Sequence, residues 1–244
     1  MPEIPATRLY AVFHLNLAFS CVEPEDHATI VDRCYDPLLD IVERDGIPLG
    51  IELSAYTLER LLEIRPDWVA RFKTLLAGNR CELIASGDSQ IAGPLVPARV
   101  NRENLRLGQL AYRDVLDCEP QLAYANEQAV SPGVMDCYRQ AGYQAVVAEW
   151  DNLYSFGDNW QDHWRFSPQS LRTASGDSMT VIWNQVIPFQ KLQRCVHGEL
   201  SSTDYLAYVR KAAEEHRCFS VYGNDAEVFG FRPGTDHSCA RKSD

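Results

Sequence analysis

Seven short runs rich in β-branched, aromatic and leucine residues recur along this chain, and almost every one closes on a polar or charged side chain. They are predicted strands at Leu9–His14, Ile47–Glu52, Arg80–Ala85, Gln121–Asn126, Tyr143–Glu149, Met179–Asn184 and Arg217–Tyr222. Polar alternation is largely missing from them, which suits strands buried on both faces. Helical spacing fills the intervals. Glu25 to Arg44 is interrupted by Pro37, Thr57 to Leu76 is punctuated by Pro66, and Asn101 to Leu116 sets Leu105, Leu107, Leu110, Ala111 and Val115 on an apolar face. Ser131-Pro132 reads as a cap followed by a first-turn proline, with Gly142 as the stop, and Ser202 or Thr203 caps a last helix running to about His216. Strands alternating with helices in this way predict a parallel α/β fold.

An open doubly wound sheet and a barrel both satisfy that alternation, and the strand ends favour the barrel. The terminal groups are His14 and Asn16, Glu52, Ser86 and Asp88, Glu127, Glu149 with Trp150 and Asp151, Asn184, and Asn224 with Asp225. A barrel gathers all its carboxyl ends on one face, where barrel enzymes keep their catalytic groups. A doubly wound sheet gathers only those near its switch point.

Thirty-four acidic against 23 basic side chains give a net charge of −11, which repels phosphate backbones and anionic lipid. No nucleic-acid or membrane partner is expected. Leu9 to Phe19 is the most apolar N-terminal stretch, yet it carries His14 and Asn16, so it fits neither a signal peptide nor a spanning helix, and a cytoplasmic location is expected. The cysteines (Cys21, Cys34, Cys81, Cys118, Cys137, Cys195, Cys218 and Cys239) are scattered without metal-ligand spacing and read as buried thiols. Residues 151–178 form the one long break in the pattern. Their Tyr154, Phe156, Trp160, Trp164 and Phe166 argue for an ordered, functional insertion in a single domain spanning 1–244.

Two carboxylates stand out for chemistry. Glu127 follows the apolar run Gln121-Leu-Ala-Tyr-Ala-Asn126 and precedes the Ser131-Pro132 helix start, while Asp225 follows Gly223-Asn224 in the stretch Asp225-Ala-Glu-Val-Phe-Gly230. One carboxylate in a cleft can serve as nucleophile while another is held protonated as general acid, the division that glycoside hydrolysis requires. Nearby Trp and Tyr faces suit stacking against sugar rings.

Five blocks carry a family resemblance: Phe13-His14-Leu15-Asn16, Cys81-Glu-Leu-Ile-Ala-Ser-Gly87, Tyr124-Ala-Asn-Glu127, Ser131-Pro-Gly-Val-Met135 and Asp225-Ala-Glu-Val-Phe-Gly230. In their order and strand placement the chain resembles glycoside hydrolase family 57, the α-glucan-active amylases, branching enzymes and 4-α-glucanotransferases. The resemblance implies a seven-stranded (β/α)7 incomplete parallel barrel and a retaining mechanism that needs no cofactor or metal. It also implies that Glu127 is the nucleophile, Asp225 the acid/base and His14 a sugar-subsite residue, with the two carboxyl groups about 5–5.5 Å apart. Glu52, Trp150 and Asp151 are added as subsite residues from strand placement, and a polysaccharide or oligosaccharide is the implied substrate.

Departures from the family bear on substrate. The first block has His14-Leu15-Asn16 where His-Gln-Pro is usual, the nucleophile block has Tyr124 where Trp is usual and Asn126 where Pro or Ala is usual, and Phe231-Arg232-Pro233 stands where His and Trp often follow. The polar, aperiodic tail at 233–244 takes the place of a helical region, so a C-terminally shortened member is expected. Two alternatives stay open at this point: a non-catalytic carbohydrate-binding or scaffold remnant, and a metal-dependent barrel resembling polysaccharide deacetylases or α-mannosidases. The second would need clustered zinc ligands, and neither His-x-x-x-His nor His-x-Asp occurs around His14, His27, His163, His197, His216 or His237.

Overall fold

The computed structural model describes residues 9–18, 22–154, 160–215 and 219–231. Strands β1 (Leu9–Leu15), β2 (Leu49–Leu53), β3 (Cys81–Ala85), β4 (Leu122–Tyr124), β5 (Ala145–Glu149), β6 (Gln169–Arg172), β7 (Ser178–Asn184) and β8 (Phe219–Asp225) form one sheet in the order β6-β7-β5-β4-β3-β2-β1-β8. Seven of them run parallel, and β6 joins outside β7 as an antiparallel edge. The sheet curls until β7 and β8 approach each other, but no ladder joins them among the described residues. This is the incomplete (β/α)7 barrel that the family resemblance implies.

Alternate residues along each strand face opposite sides of the sheet. Ile51, Leu83, Ala123, Val146 and Val181 accordingly join the large cluster beneath the helices, while Ile84, Tyr124 and Val147, with Val12, Leu122 and Ile182 against them, face the barrel interior. Both faces are apolar below the strand ends, which is why the runs read as continuous hydrophobic stretches.

The helices fall close to their predicted positions. A continuous helical segment covers 24–45, with five-residue π-helical turns at Val31–Tyr35 and Ile41–Asp45. The first of these widens the helix just before Pro37, so that Asp36 N–H bonds Val31 O and the residue lacking an N–H is accommodated without a break. The 57–76 interval divides at Arg65 into helices Ala55–Ile64 and Pro66–Ala77. Arg65 pairs with Asp32, Asp36 and Asp67, and Arg71 with Asp36, Asp40 and Glu43, tying the second of these helices to the 24–45 segment. Exposed pairs contribute about 0–1 kcal/mol each. The fully buried Tyr35, Trp68 and Phe72 between the same helices therefore dominate the docking, and the charges orient it.

Three features differ from the sequence reading. The interval 151–178 contains a helical turn (Trp150–Tyr154), a 3-10 turn (Asp162–Phe166) and β6, whose Gln-Ser-Leu-Arg sequence holds a single apolar residue and pairs only with the edge of β7. Helix Val186–Val196 was not among the expected helices; its Pro188 lies in the first turn, where a missing N–H costs nothing. Helix Ser202–Glu214 is capped by neither Ser202 nor Thr203 but by Ser201, whose hydroxyl accepts from Asp204 N–H at 3.1 Å. Its predicted end at His216, the strand start at Arg217, Phe156 and the tail at 233–244 lie outside the described residues.

Cys34, Cys81 and Cys137 are buried free thiols and Cys118 and Cys195 partly buried ones; Cys21, Cys218 and Cys239 fall outside the described residues. Burial pushes the Cys34 thiol up to about 12 and that of Cys81 to about 11. No helix among the described residues is long and apolar enough to cross a membrane.

Candidate active site

Sheet register places three of the singled-out residues in a row. His14 on β1 is level with Glu52 on β2 and, on its other side, with Asp225 on β8. The second alignment depends on an irregularity: Phe13 pairs with Gly223, and the next pair is His14 with Asp225, one residue being skipped on β8. In regular pairing His14 would face Asn224, and the period of two would send Asp225 to the opposite side of the sheet. Such bulges re-aim side chains at barrel rims. Here His14 Nε2 lies 3.4 Å from Asp225 Oδ1, and His14 Nδ1 contacts Glu52 Oε2. His14 and Glu52 are buried, and loss of solvent lowers the His14 pKa to about 4, so the imidazole is neutral at pH 7.

A further partner of His14 comes from the loop after β3, where Gln90 Nε2 stands 2.7 Å from His14 Nε2. That loop is anchored from below. Gly87 has φ +82° and lies so close to Gly108 of helix Ala98–Leu116 that a Cβ on Gly108 would meet its carbonyl carbon at 2.6 Å. Asn104, one turn earlier on the helix, accepts from Ser89 N–H at 2.8 Å and donates to Ser89 O at 3.0 Å. The buried Tyr112 hydroxyl accepts from Ser86 N–H and donates to Leu53 O at 2.7 Å, joining the ends of β2 and β3. Ser86 in turn donates to Asn126 Oδ1 at 2.5 Å and receives Asn126 Nδ2 on its carbonyl at 2.8 Å, which fixes the residue before Glu127.

Glu127 itself is exposed at the mouth of the site with left-handed backbone (φ 54°, ψ 16°), and Gln128 follows at φ 53°. Two successive non-glycine residues in this region carry strain of about 1–3 kcal/mol each, a cost that concentrates at functional sites. Burial, then the negative charge of Glu127, raises the Asp225 pKa to about 6. Asp225 therefore lies within the field of the Glu127 charge. Two residues beyond Asp225, the buried Glu227 accepts from the Tyr35 hydroxyl and from Asn16 N–H at 3.3 Å, and burial raises it to about 7.

At the far side of the barrel mouth, Glu149 on β5 is level with Asn184 on β7, whose Nδ2 donates to Glu149 Oε2 at 3.0 Å; burial raises Glu149 to about 7. Trp150, the next residue, is fully buried, with the rings of Trp160 and Trp183 both 5.2 Å from its own and the Arg165 guanidinium 5.7 Å away. The aromatic insertion thus packs on the end of the sheet. Asp151 is exposed in the first turn of the helix that follows β5. A separate cavity of about 1040 Å3, lined in its interior by Val12, Gly50, Ile84, Leu122, Val147 and Ile182, lies on the amino-terminal side of this polar row. It is apolar and reaches none of the strand-end carboxylates.

Of the residues singled out from sequence, His14, Glu52 and Asp225 meet directly, Glu127 reaches Asp225 through its charge, and Trp150 and Asp151 stand with Glu149 at the end of β5. Gln90, Glu227 and Tyr124, whose ring lies 5.9 Å from His14, were not singled out for the site. Tyr124 and Glu227 lie inside the blocks that carry Glu127 and Asp225, whereas nothing in the sequence marked Gln90. No group of three or more His, Cys, Asp and Glu side chains among the described residues is arranged to hold a metal ion.

Comparison with known proteins gives this geometry its context. The α-amylase of Pyrococcus horikoshii is 21% identical over 207 residues, which make up 84% of this chain and 31% of that protein. The 4-α-glucanotransferase of Thermococcus litoralis is also 21% identical, over 213 residues, 84% of this chain and 30% of that protein. This chain thus spans about a third of the length of the curated relatives it matches. The crystal structure of the 4-α-glucanotransferase from Thermococcus litoralis shares the fold with a TM-score of 0.72 at 17% identity, covering 95% of this chain and 35% of that one. With the profile of glycosyl hydrolase family 57 matching residues 12–238, the chain belongs to glycosyl hydrolase family 57.

Proposed function

We propose that this chain carries a retaining glycoside hydrolase or glycosyl-transfer site for α-glucan polysaccharides or oligosaccharides, with Glu127 as nucleophile and Asp225 as acid/base. The observation that carries this reading is the Asp225 environment: a carboxyl raised to about 6, next to a neutral imidazole and within the field of Glu127. Asp225 gives its proton to the glycosidic oxygen while the Glu127 carboxylate attacks the anomeric carbon. The bond from that carbon to the leaving oxygen breaks, and a glycosyl ester forms on Glu127. Asp225, now ionised, takes a proton from water or a sugar hydroxyl as that oxygen attacks the same carbon and releases Glu127. In this reading His14 and Asp151 face the sugar, Glu52 holds His14, and Trp150 backs the wall of the subsite. The single domain and its 151–178 insertion, as one side of the cleft, belong to the same proposal.

The test is turnover of amylose, maltooligosaccharides and branched glucan by the protein and by Glu127→Gln and Asp225→Asn. Each variant is expected to lose at least about 10²-fold in kcat/KM, general acid–base catalysis alone being worth about 10²–10⁴-fold. Asp225→Asn should lose least on substrates whose leaving groups need no proton to depart, and azide should speed release of its glycosyl ester. Turnover unchanged in both variants would overturn the assignment of these two residues, and absence of turnover by the protein itself would leave the fold as a glucan-binding scaffold.

A further inference from the structure

One chain of hydrogen bonds at the site starts from a donor whose direction admits no ambiguity. The backbone N–H of Ala18 donates to Asn16 Oδ1 at 3.0 Å, so the other end of that amide is its NH2. Asn16 Nδ2 donates to Gln90 Oε1 at 2.8 Å, so Gln90 in turn presents its NH2 to His14 Nε2, 2.7 Å away. An amide nitrogen only donates, and the nitrogen it meets must therefore be the unprotonated one. The imidazole proton is left on Nδ1, the nitrogen in contact with the Glu52 carboxylate.

We propose that Asn16 and Gln90 are positioning residues that lock His14 in its Nδ1–H tautomer and thereby keep Asp225 in its proton-donating form. This proposal rests on the acid/base reading of Asp225 given above. His14 Nε2, which carries the lone pair, stands 2.7 Å from Gln90 Nε2 and 3.4 Å from Asp225 Oδ1. A carboxylate there opposes a lone pair, whereas a carboxylic acid does not, so the protonated form of Asp225 is favoured. Because Gln90 already occupies that lone pair, the Asp225 proton is not captured by the imidazole and stays available to a glycosidic oxygen.

The charged and titratable groups around the pair act in compatible directions. The Glu52 carboxylate from β2 lies against Nδ1, the Tyr124 ring from β4 packs 5.9 Å from the imidazole, and Glu127 beyond β4 disfavours ionisation of Asp225. Glu227, beyond β8, is buried beside Asp225 and bonded to the backbone of Asn16, which holds the start of the relay in place.

The relay makes a prediction about a nitrogen that is two side chains from the change. In Asn16→Asp the aspartate still accepts from Ala18 but can no longer donate to Gln90. Gln90 then turns its NH2 to the aspartate and its Oε1 to His14, and Nε2 must take a proton. Gln90→Glu places an acceptor opposite Nε2 directly and serves as the second variant. The measurement is the long-range 1H–15N spectrum of histidine-labelled protein at pH 7, with the His14 signals identified by their loss in His14→Gln. We expect bare Nε2 in the wild type and protonated Nε2 in both variants. In Asn16→Asp, whose new charge lies two side chains away, the alkaline limb of kcat/KM against pH is expected to move down by about one unit, because Nε2–H stabilises the Asp225 carboxylate. Protonated Nε2 in the wild type, or bare Nε2 in either folded variant, overturns the relay. The spectrum needs no turnover, so the expected tautomers in a protein without glucan activity would retain the relay and remove the acid/base reading.

Discussion

Burial acts in opposite directions on the ionisable groups at the strand ends. His14 loses its proton readily, while Asp225, Glu149 and Glu227 hold theirs toward neutral pH. For Glu149 the consequence is separable from catalysis. Its folded pKa of about 7 stands above the unfolded value of 4.5, so the folded state binds the proton more tightly and loses stability as pH rises through that window. Glu149→Gln keeps an acceptor for Asn184 and has nothing to ionise. The variant should therefore gain on the wild type between about pH 5 and pH 8, by about 1–3 kcal/mol, read from urea unfolding at the two pH values. A difference independent of pH would mean that Glu149 is solvated in the folded state. At this scale the sequence was informative about residue types at strand ends: His14, Glu52, Glu127 and Asp225 are legible because an apolar run must stop at a polar group. Gln90 was not legible, since an uncharged amide in a loop carries no periodicity and gains its meaning only from the side chain it faces.

Elements meet through backbone contacts that leave no room for side chains. Gly108 lies within the helix Ala98–Leu116, and its ideal Cβ would meet three backbone atoms of Gly87 and Asp88 at 2.6–3.0 Å. Alanine normally helps a helix interior by up to about 1 kcal/mol. Here the overlap is with backbone that cannot rotate away, and overpacking of this kind costs about 1–3 kcal/mol. Gly108→Ala is thus expected to lower the urea midpoint and, by shifting the loop that carries Gln90, to lower kcat/KM as well. Greater stability in the variant would show that the loop does not dock as described. Helix positions were readable from apolar spacing and from the Ser131-Pro132 start, which the structure uses as predicted, with Ser131 Oγ accepting from Val134 N–H. The bulge between β1 and β8 was not readable, because a skipped residue alters pairing without altering composition.

At the scale of the whole molecule, the sheet remains open between β7 and β8 among the described residues, and the β7 side is weighted by aromatic rings. Trp183 is almost fully buried between Trp150 and Trp160. Its replacement in Trp183→Ala should cost about 3–5 kcal/mol, seen as a lower Tm, with near-ultraviolet circular dichroism losing much of its aromatic signal. A loss under about 1 kcal/mol would mean that the insertion packs loosely on the sheet. The sequence by itself determined the seven parallel strands, the helices between most of them and the polar strand ends, because burial on both faces and helical periodicity are written in local residue order. Tertiary structure alone decided that His14, Glu52 and Asp225 share one level, that Gln90 arrives there from β3, and that Trp150 turns into an aromatic cluster. Each of these depends on register, a bulge or a close approach between residues far apart in the chain, and local preference carries no information about such distances.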